Sequence, residues 1–177
     1  MRNSSRYLII FSCFTVLVLA AAPARADWFF CHGTGAVLQE DAVENCTYYA
    51  HLGWGLEFIL KKGKTAWVHF PIPGPALDNT SVRQIQIGFN MENANAYIST
   101  VALWDGGLFV KEIKGKWTGT NKIVTLSLDK SYKIYYGLNV CVLVNNASGA
   151  KDLKVKLFSA GANMSRPAAS SGRTDPR

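Results

Sequence analysis

Residues 82–90 alternate with a period of two: Ile85, Ile87 and Phe89 fall on one side, Gln84, Gln86 and Gly88 on the other. That period belongs to an extended strand with one buried face, because successive side chains of a strand point to opposite faces. Similar short runs, rich in β-branched and aromatic residues, recur at 54–60, 65–72, 97–104, 108–113, 123–128, 133–145 and 153–159. Turn residues separate them and a helical period is nearly absent. The pattern predicts an all-β domain, an antiparallel β-sandwich of jelly-roll type with about eight strands.

Two hairpins are expected. One joins 54–60 to 65–72 across Lys61-Lys62-Gly63-Lys64, and one joins 97–104 to 108–113 across Asp105-Gly106-Gly107. In the first, pairing puts Trp54, Leu56, Phe58, Trp67 and His69 on one face and Ile59, Val68 and Phe70 on the other, so both faces are apolar and the hairpin is expected inside a two-layer fold. Pro71, Pro73 and Pro75 end it, since proline cannot donate to a ladder. The run 133–145 is the most continuously apolar and is expected as a central strand buried on both faces. Residues 37–49 are irregular, with room for one helical turn. The expected core comprises Ile85, Ile87, Phe89, Val101, Leu103, Val140, Val142, Val155 and Leu157.

The N-terminus reads as an export signal. Arg2 and Arg6 precede an apolar stretch over 7–22, and Ala24-Arg25-Ala26 supplies the small-x-small pattern of a cleavage site before Asp27. The stretch is shorter than the about 20 apolar residues of a spanning helix. Residues 1–26 are therefore expected to be removed, leaving no stable membrane span. A single domain follows over 27–164, and 165–177 has no apolar face and is expected to be a disordered tail. The chain is expected to be secreted or periplasmic and of bacterial origin.

The net charge of +7 includes Arg2, Arg6 and Arg25, so the exported part carries 16 basic residues against 12 acidic, a net of +4. The lysines are dispersed. Lys154 and Lys156 alternate with Leu153, Val155 and Leu157, as on a solvated strand face. This is no footprint for nucleic acid.

Cys31 and Cys46 flank the irregular segment. In an oxidising compartment they favour a bridge, and a loop of that length is worth about 3 kcal/mol. Cys141, amid Val140, Val142 and Leu143, reads as a buried inert thiol. No histidine has zinc-type spacing, so no metal and no cofactor are expected. Cys31-His32 is a poor thiol–imidazole couple, since strand neighbours point apart. Gly63-Lys64-Thr65 lacks the earlier glycine of a phosphate loop, because position 58 is Phe58. Nucleophile-elbow and zinc-protease motifs are absent. Asp78-Asn79 and Asp105-Gly106-Gly107 read as turns rather than calcium loops, and the sequons at Asn45, Asn79, Asn146 and Asn163 as chance matches.

Aromatic residues are the remaining handle. Trp104, beside the Asp105 turn, either stacks on a sugar face or lids the core. With Asp105 it is the expected binding surface, since such a turn projects from a sheet end where loops gather.

The segment Ala66-Trp67-Val68-His69-Phe70-Pro71-Ile72-Pro73-Gly74-Pro75 resembles a Trp-Phe-His-Phe-x-Ile-Pro-x-Pro motif of an uncharacterised family of small bacterial β proteins. The similarity continues through Val101-Ala102-Leu103-Trp104-Asp105-Gly106 and Tyr136-Gly137-Leu138-Asn139-Val140, and ends near Ala162. Val68 replaces the family's usual aromatic and Gly74 its usual threonine. The resemblance implies a compact β domain and no chemistry. It marks His69 as either a hydrogen-bonding residue of the fold or a site residue.

The expected function is an exported, non-catalytic binding module whose partner is carbohydrate or another envelope component. A structural or assembly subunit using sheet edges is the alternative, and an uncharacterised hydrolase stands third. The sequence leaves the oligomeric state open.

Overall fold

The computed structural model describes residues 26–74, 80–147 and 151–165. The export stretch up to residue 25, the turn at Asp78-Asn79 and the tail from residue 166 lie outside the described residues. Eleven strands follow in order: β1 (Ala26–His32), β2 (Val37–Leu38), β3 (Cys46–Leu52), β4 (Gly55–Leu60), β5 (Thr65–Pro71), β6 (Thr80–Met91), β7 (Ala96–Asp105), β8 (Leu108–Trp117), β9 (Gly119–Ile134), β10 (Leu138–Asn146) and β11 (Leu153–Ser165). A 3-10 turn (Gly33–Gly35) and a four-residue helix α1 (Glu40–Val43) interrupt the first of them. The helical turn expected within 37–49 is α1.

Two antiparallel sheets form. One has the order β3-β4-β11-β6-β9 with β1 also paired to β11, and the other is β2-β5-β10-β7-β8. The strands β4 to β11 are the eight read from the sequence. They interleave as β4-β11-β6-β9 over β5-β10-β7-β8, the double Greek key of a jelly roll. β1, β2 and β3 are additions at the N-terminal side.

Inward faces follow the two-residue period. Leu56, Phe58 and Leu60 of β4, Ile85, Ile87 and Phe89 of β6, and Val155 and Leu157 of β11 come from one sheet. Val68 and Phe70 of β5, Val101 and Leu103 of β7, and Val140 and Val142 of β10 come from the other. All nine residues expected in the core are buried there. β10 is central, between β5 and β7, with both faces largely covered. The second hairpin forms as read, β7 pairing β8 through Asp105↔Leu108 with Gly106 at φ 57, the left-handed value that glycine favours.

The first hairpin does not form. β4 already has both edges occupied, by β3 and β11, and β5 has both occupied, by β2 and β10. Residues 61–64 therefore carry the chain from one sheet to the other. Leu56 and Phe58 then face Val68 and Phe70 across the core, whereas Trp67 and His69 point outward.

The Cys31–Cys46 bridge does not form either: Cys31, Cys46 and Cys141 are all free thiols. β1 and β4 occupy the same flank of β11 at different heights. Cys31 stands opposite Ala160, while Cys46 is level with Leu60 and hence Leu153. Those two levels lie about 23 Å apart at the rise of a strand, far beyond the about 7 Å limit between bridged Cα atoms. Cys31 Sγ instead contacts the His32 carbonyl at 3.4 Å, and Cys46 Sγ the Ala42 carbonyl at 3.4 Å. Among the described residues, no helix is long and apolar enough to cross a membrane.

Candidate functional site

The outward side of the β2-β5-β10-β7-β8 sheet is hollowed in the middle. Strand register sets one row of side chains across it: Val37, His69, Cys141, Ala102 and Glu112. Cys141 and Ala102, the small members of that row, form the floor. The row on one side holds Trp104 opposite Phe109, and the row on the other brings Trp67 beside Leu143. Bulky rings thus stand on both sides of a strip whose middle, at Cys141 and Ala102, has only small side chains. The result is a groove of about 370 Å³, closed at one end by Gln39 and at the other by Glu112.

The walls are exposed. Trp104 is 36% accessible and Phe109 57%, and their rings meet edge to face at 5.4 Å with an interplanar angle of 73°. That geometry is the favoured one for an aromatic pair and leaves one face of a ring free. Glu112 reaches the Lys114 ammonium at 3.7 Å, an exposed contact that leaves its carboxylate open to the groove mouth.

At the floor, His69 is held on both nitrogens. Nδ1 lies 2.9 Å from Cys141 Sγ and Nε2 lies 3.2 Å from Gln39 Oε1. One neutral tautomer satisfies both: the Cys141 thiol donates to Nδ1, and Nε2–H donates to the Gln39 carbonyl oxygen. Burial holds the imidazole below its ordinary value of 6.5, opposed by the charge of Asp41. Burial also pushes the Cys141 thiol up to about 12. Thiol and ring therefore face each other uncharged at neutral pH, and a protonated thiol is a poor nucleophile.

The structure brings His69 and Trp104 into one site and takes Asp105 out of it. Asp105 is 3% exposed, and its carboxylate accepts the backbone N–H groups of Tyr135, Tyr136 and Gly137 at 2.7, 2.7 and 2.9 Å. The expectation of a ligand-facing Asp105 is corrected on that ground: a carboxylate this buried, turned into three main-chain donors, is not presented to solvent. Trp67, Phe109, Gln39, Glu112 and Cys141 were not read as site residues. A signal for Trp67 was present, since β5 is apolar on both phases and only one phase can face the core. Among the described residues, no group of three or more His, Cys, Asp or Glu side chains could hold a metal ion.

No protein-family model matches the chain, and no characterised protein matches it in sequence. Among solved structures it is similar to a family two carbohydrate esterase from Cellvibrio japonicus, at 9% identity and TM-score 0.41, over 82% of this chain. The chain spans only 36% of the length of that esterase. It is also similar to a family 35 carbohydrate binding module from Clostridium thermocellum, at 10% identity and TM-score 0.46, over 76% of this chain and 98% of the other. A third similar structure is the carbohydrate-binding module CBM36, solved with calcium and xylotriose, at 12% identity and TM-score 0.42, over 74% of this chain and 96% of that one.

Proposed function

We propose that the chain is an exported, non-catalytic carbohydrate-binding module and that a saccharide occupies the groove above Cys141 and Ala102. The observation that carries this reading is the arrangement of rings around a small floor: Trp67 on one side, Trp104 with Phe109 on the other, and a gap between them. A pyranose has an apolar C–H face and a rim of hydroxyls. The ring face packs on an aromatic wall, and the hydroxyls need donors and acceptors at the edges. The amide nitrogen of Gln39 and the carboxylate of Glu112 supply one of each at opposite ends.

A binding role fits the floor chemistry better than a catalytic one. Among the described residues, the nearest approach to a nucleophile–base couple is Cys141 with His69, and both are held in their neutral forms. Export is supported by the basic start, the apolar stretch over 7–22 and the Ala24-Arg25-Ala26 site.

The test is a glycan array probed with the mature protein, followed by titration of each hit. Trp104→Ala is expected to weaken binding about tenfold, the equivalent of about 1.4 kcal/mol, with the fold intact. Glu112→Gln is expected to weaken it less. A folded Trp104→Ala variant that binds as wild type, or an array without any hit, rejects the groove as a saccharide site.

A further inference from the structure

The opposite sheet carries a second surface of a different kind. On its outward side, β1, β11, β6 and β9 lie side by side, and register aligns Phe30, Gly161, Gln86 and Thr125 in one row. The next row holds Trp28, Asn163, Gln84 and Ser127. Neither row contains an Asp, Glu, Lys or Arg. The neighbouring part of the same sheet is ordinary by contrast: Glu57 there binds Lys154 at 3.4 Å and Lys156 at 3.8 Å.

The amides in these rows are ordered. Gln86 Nε2 donates to Thr125 Oγ1 at 3.1 Å, and Asn163 Nδ2 donates to Gln84 Oε1 at 3.2 Å. Each bond fixes a side chain and leaves its other end directed outward: Gln86 Oε1 and Asn163 Oδ1 as acceptors, Gln84 Nε2 and the Thr125 hydroxyl as donors. Beside them Phe30 lies over Gly161, so close that a Cβ there would strike the ring. Phe30 is 44% exposed and stacks on Trp28 at 5.7 Å with only 17° between the planes. An aromatic ledge therefore adjoins a lattice of alternating donors and acceptors.

We propose that this face is a second glycan-binding surface, and that its occupant is a neutral, linear polysaccharide lying across the strands. Hydroxyl groups both donate and accept, so a polyhydroxylated chain matches such a lattice, whereas a carboxylated or sulfated one finds no cation in either row, the exposed Arg83 standing at the bulge beside them. The four strands span about 14 Å, room for several sugar rings. A protein partner fits less well. Protein interfaces centre on apolar side chains with a polar rim, and here Phe30 and the 70% exposed Ile123 stand at opposite margins with amides between them. With the groove on the other sheet, one domain would hold two polysaccharide strands at once.

Affinity electrophoresis tests this, using native gels containing glucomannan, xylan or hydroxyethyl cellulose, and carboxymethyl cellulose as the charged counterpart. The variants are Gln84→Ala with Gln86→Ala, which leave Phe30 in place, Phe30→Ser, and Trp104→Ala for the groove. The wild type is expected to be retarded by at least one neutral gel. The paired Gln variant should lose affinity about tenfold whether or not Trp104→Ala has any effect, so the two sites are read separately. Where Trp104→Ala alone weakens retardation, adding it to the Gln pair should lower the residual retardation further. The surface is rejected if the paired Gln variant migrates as wild type in every gel, if no neutral gel retards the wild type, or if only carboxymethyl cellulose does. It is also rejected if sedimentation shows a dimer that Phe30→Ser dissolves, since the face would then bind a second copy of the chain.

Discussion

Asp105 Oδ1 accepts the backbone N–H of Tyr136 at 2.7 Å, joining the tip of the β7–β8 hairpin to the turn that precedes β10. The same carboxylate also takes the N–H groups of Tyr135 and Gly137, and Gly106 N–H donates to the Gly137 carbonyl at 2.8 Å. Asp105→Ala leaves three main-chain donors without their partner. The expected loss is about 3 kcal/mol or more, since bonds to charged acceptors contribute about 1.5–3 kcal/mol each. Asp105→Asn should fall between, because one of its two terminal atoms no longer accepts. Urea denaturation of the three proteins gives the order, and an Ala variant within 1 kcal/mol of wild type would contradict the pinning role.

The three thiols are expected to be reduced and unreactive in the folded protein. Burial raises all of them, Cys46 to about 11 and Cys141 to about 12. Iodoacetamide at neutral pH should add no mass to the native protein and three carbamidomethyl groups to the urea-unfolded one, both prepared as residues 27–177, without Cys13. A native mass two hydrogens short, with only one thiol modified on unfolding, would restore a disulfide.

His69 should make the fold less stable in mild acid. Well above pH 6.5 its ring is neutral in both folded and unfolded chains. As the pH drops, the unfolded chain takes the proton first, because burial lowers the folded value. Stability therefore declines from about pH 6.5 downward and stops declining on this account once the folded ring protonates too. His69→Gln should flatten the difference in urea midpoint between pH 7.5 and pH 5. Equal differences in variant and wild type would show that the ring titrates as it does in water.

Gly33 should tolerate no side chain. A Cβ there would collide with the carbonyl oxygen of Leu157 and approach the Gly55 Cα at 2.8 Å, and neither is the end of a flexible side chain. Gly33→Ala should cost about 2–3 kcal/mol, the range for forcing atoms into packed structure. Gly53→Ala is the control, since nothing stands within 4 Å of its Cβ position. Thermal melts of the two variants should separate clearly, and coincident melts would contradict the packing at Gly33.

The strands and their inward phases were legible because both are local properties. Val155 and Leu157 are buried for the same reason that Lys154 and Lys156 are not: alternate residues of β11 face opposite ways. Pairing is not local. The run from 54 to 72 has the same alternation whether its halves pair with each other or cross between sheets, and Lys62-Gly63 suits either path. Gly63 adopts φ 67 in a turn that changes layer rather than returning alongside. The site was half legible for the same reason. Trp104 and His69 stood out by type and position, but nothing near His69 in sequence points to Cys141, its cross-strand neighbour 72 residues later. The Cys31–Cys46 inference failed because closeness along the chain says little about height along a sheet.

The first strand pairs with the last: Ala26 stands beside Ser165, and His32 beside Ser159. β11 also runs between β4 and β6, so its sheet has no middle until the final strand arrives. Synthesis and any passage through a membrane must then deliver nearly the whole chain before that sheet can close. Closure over such sequence distances is slow, on the order of milliseconds to seconds for β-sandwiches. A ribosome-bound chain stopped before residue 153 should remain open to protease, and release of the complete chain should be the event that confers resistance.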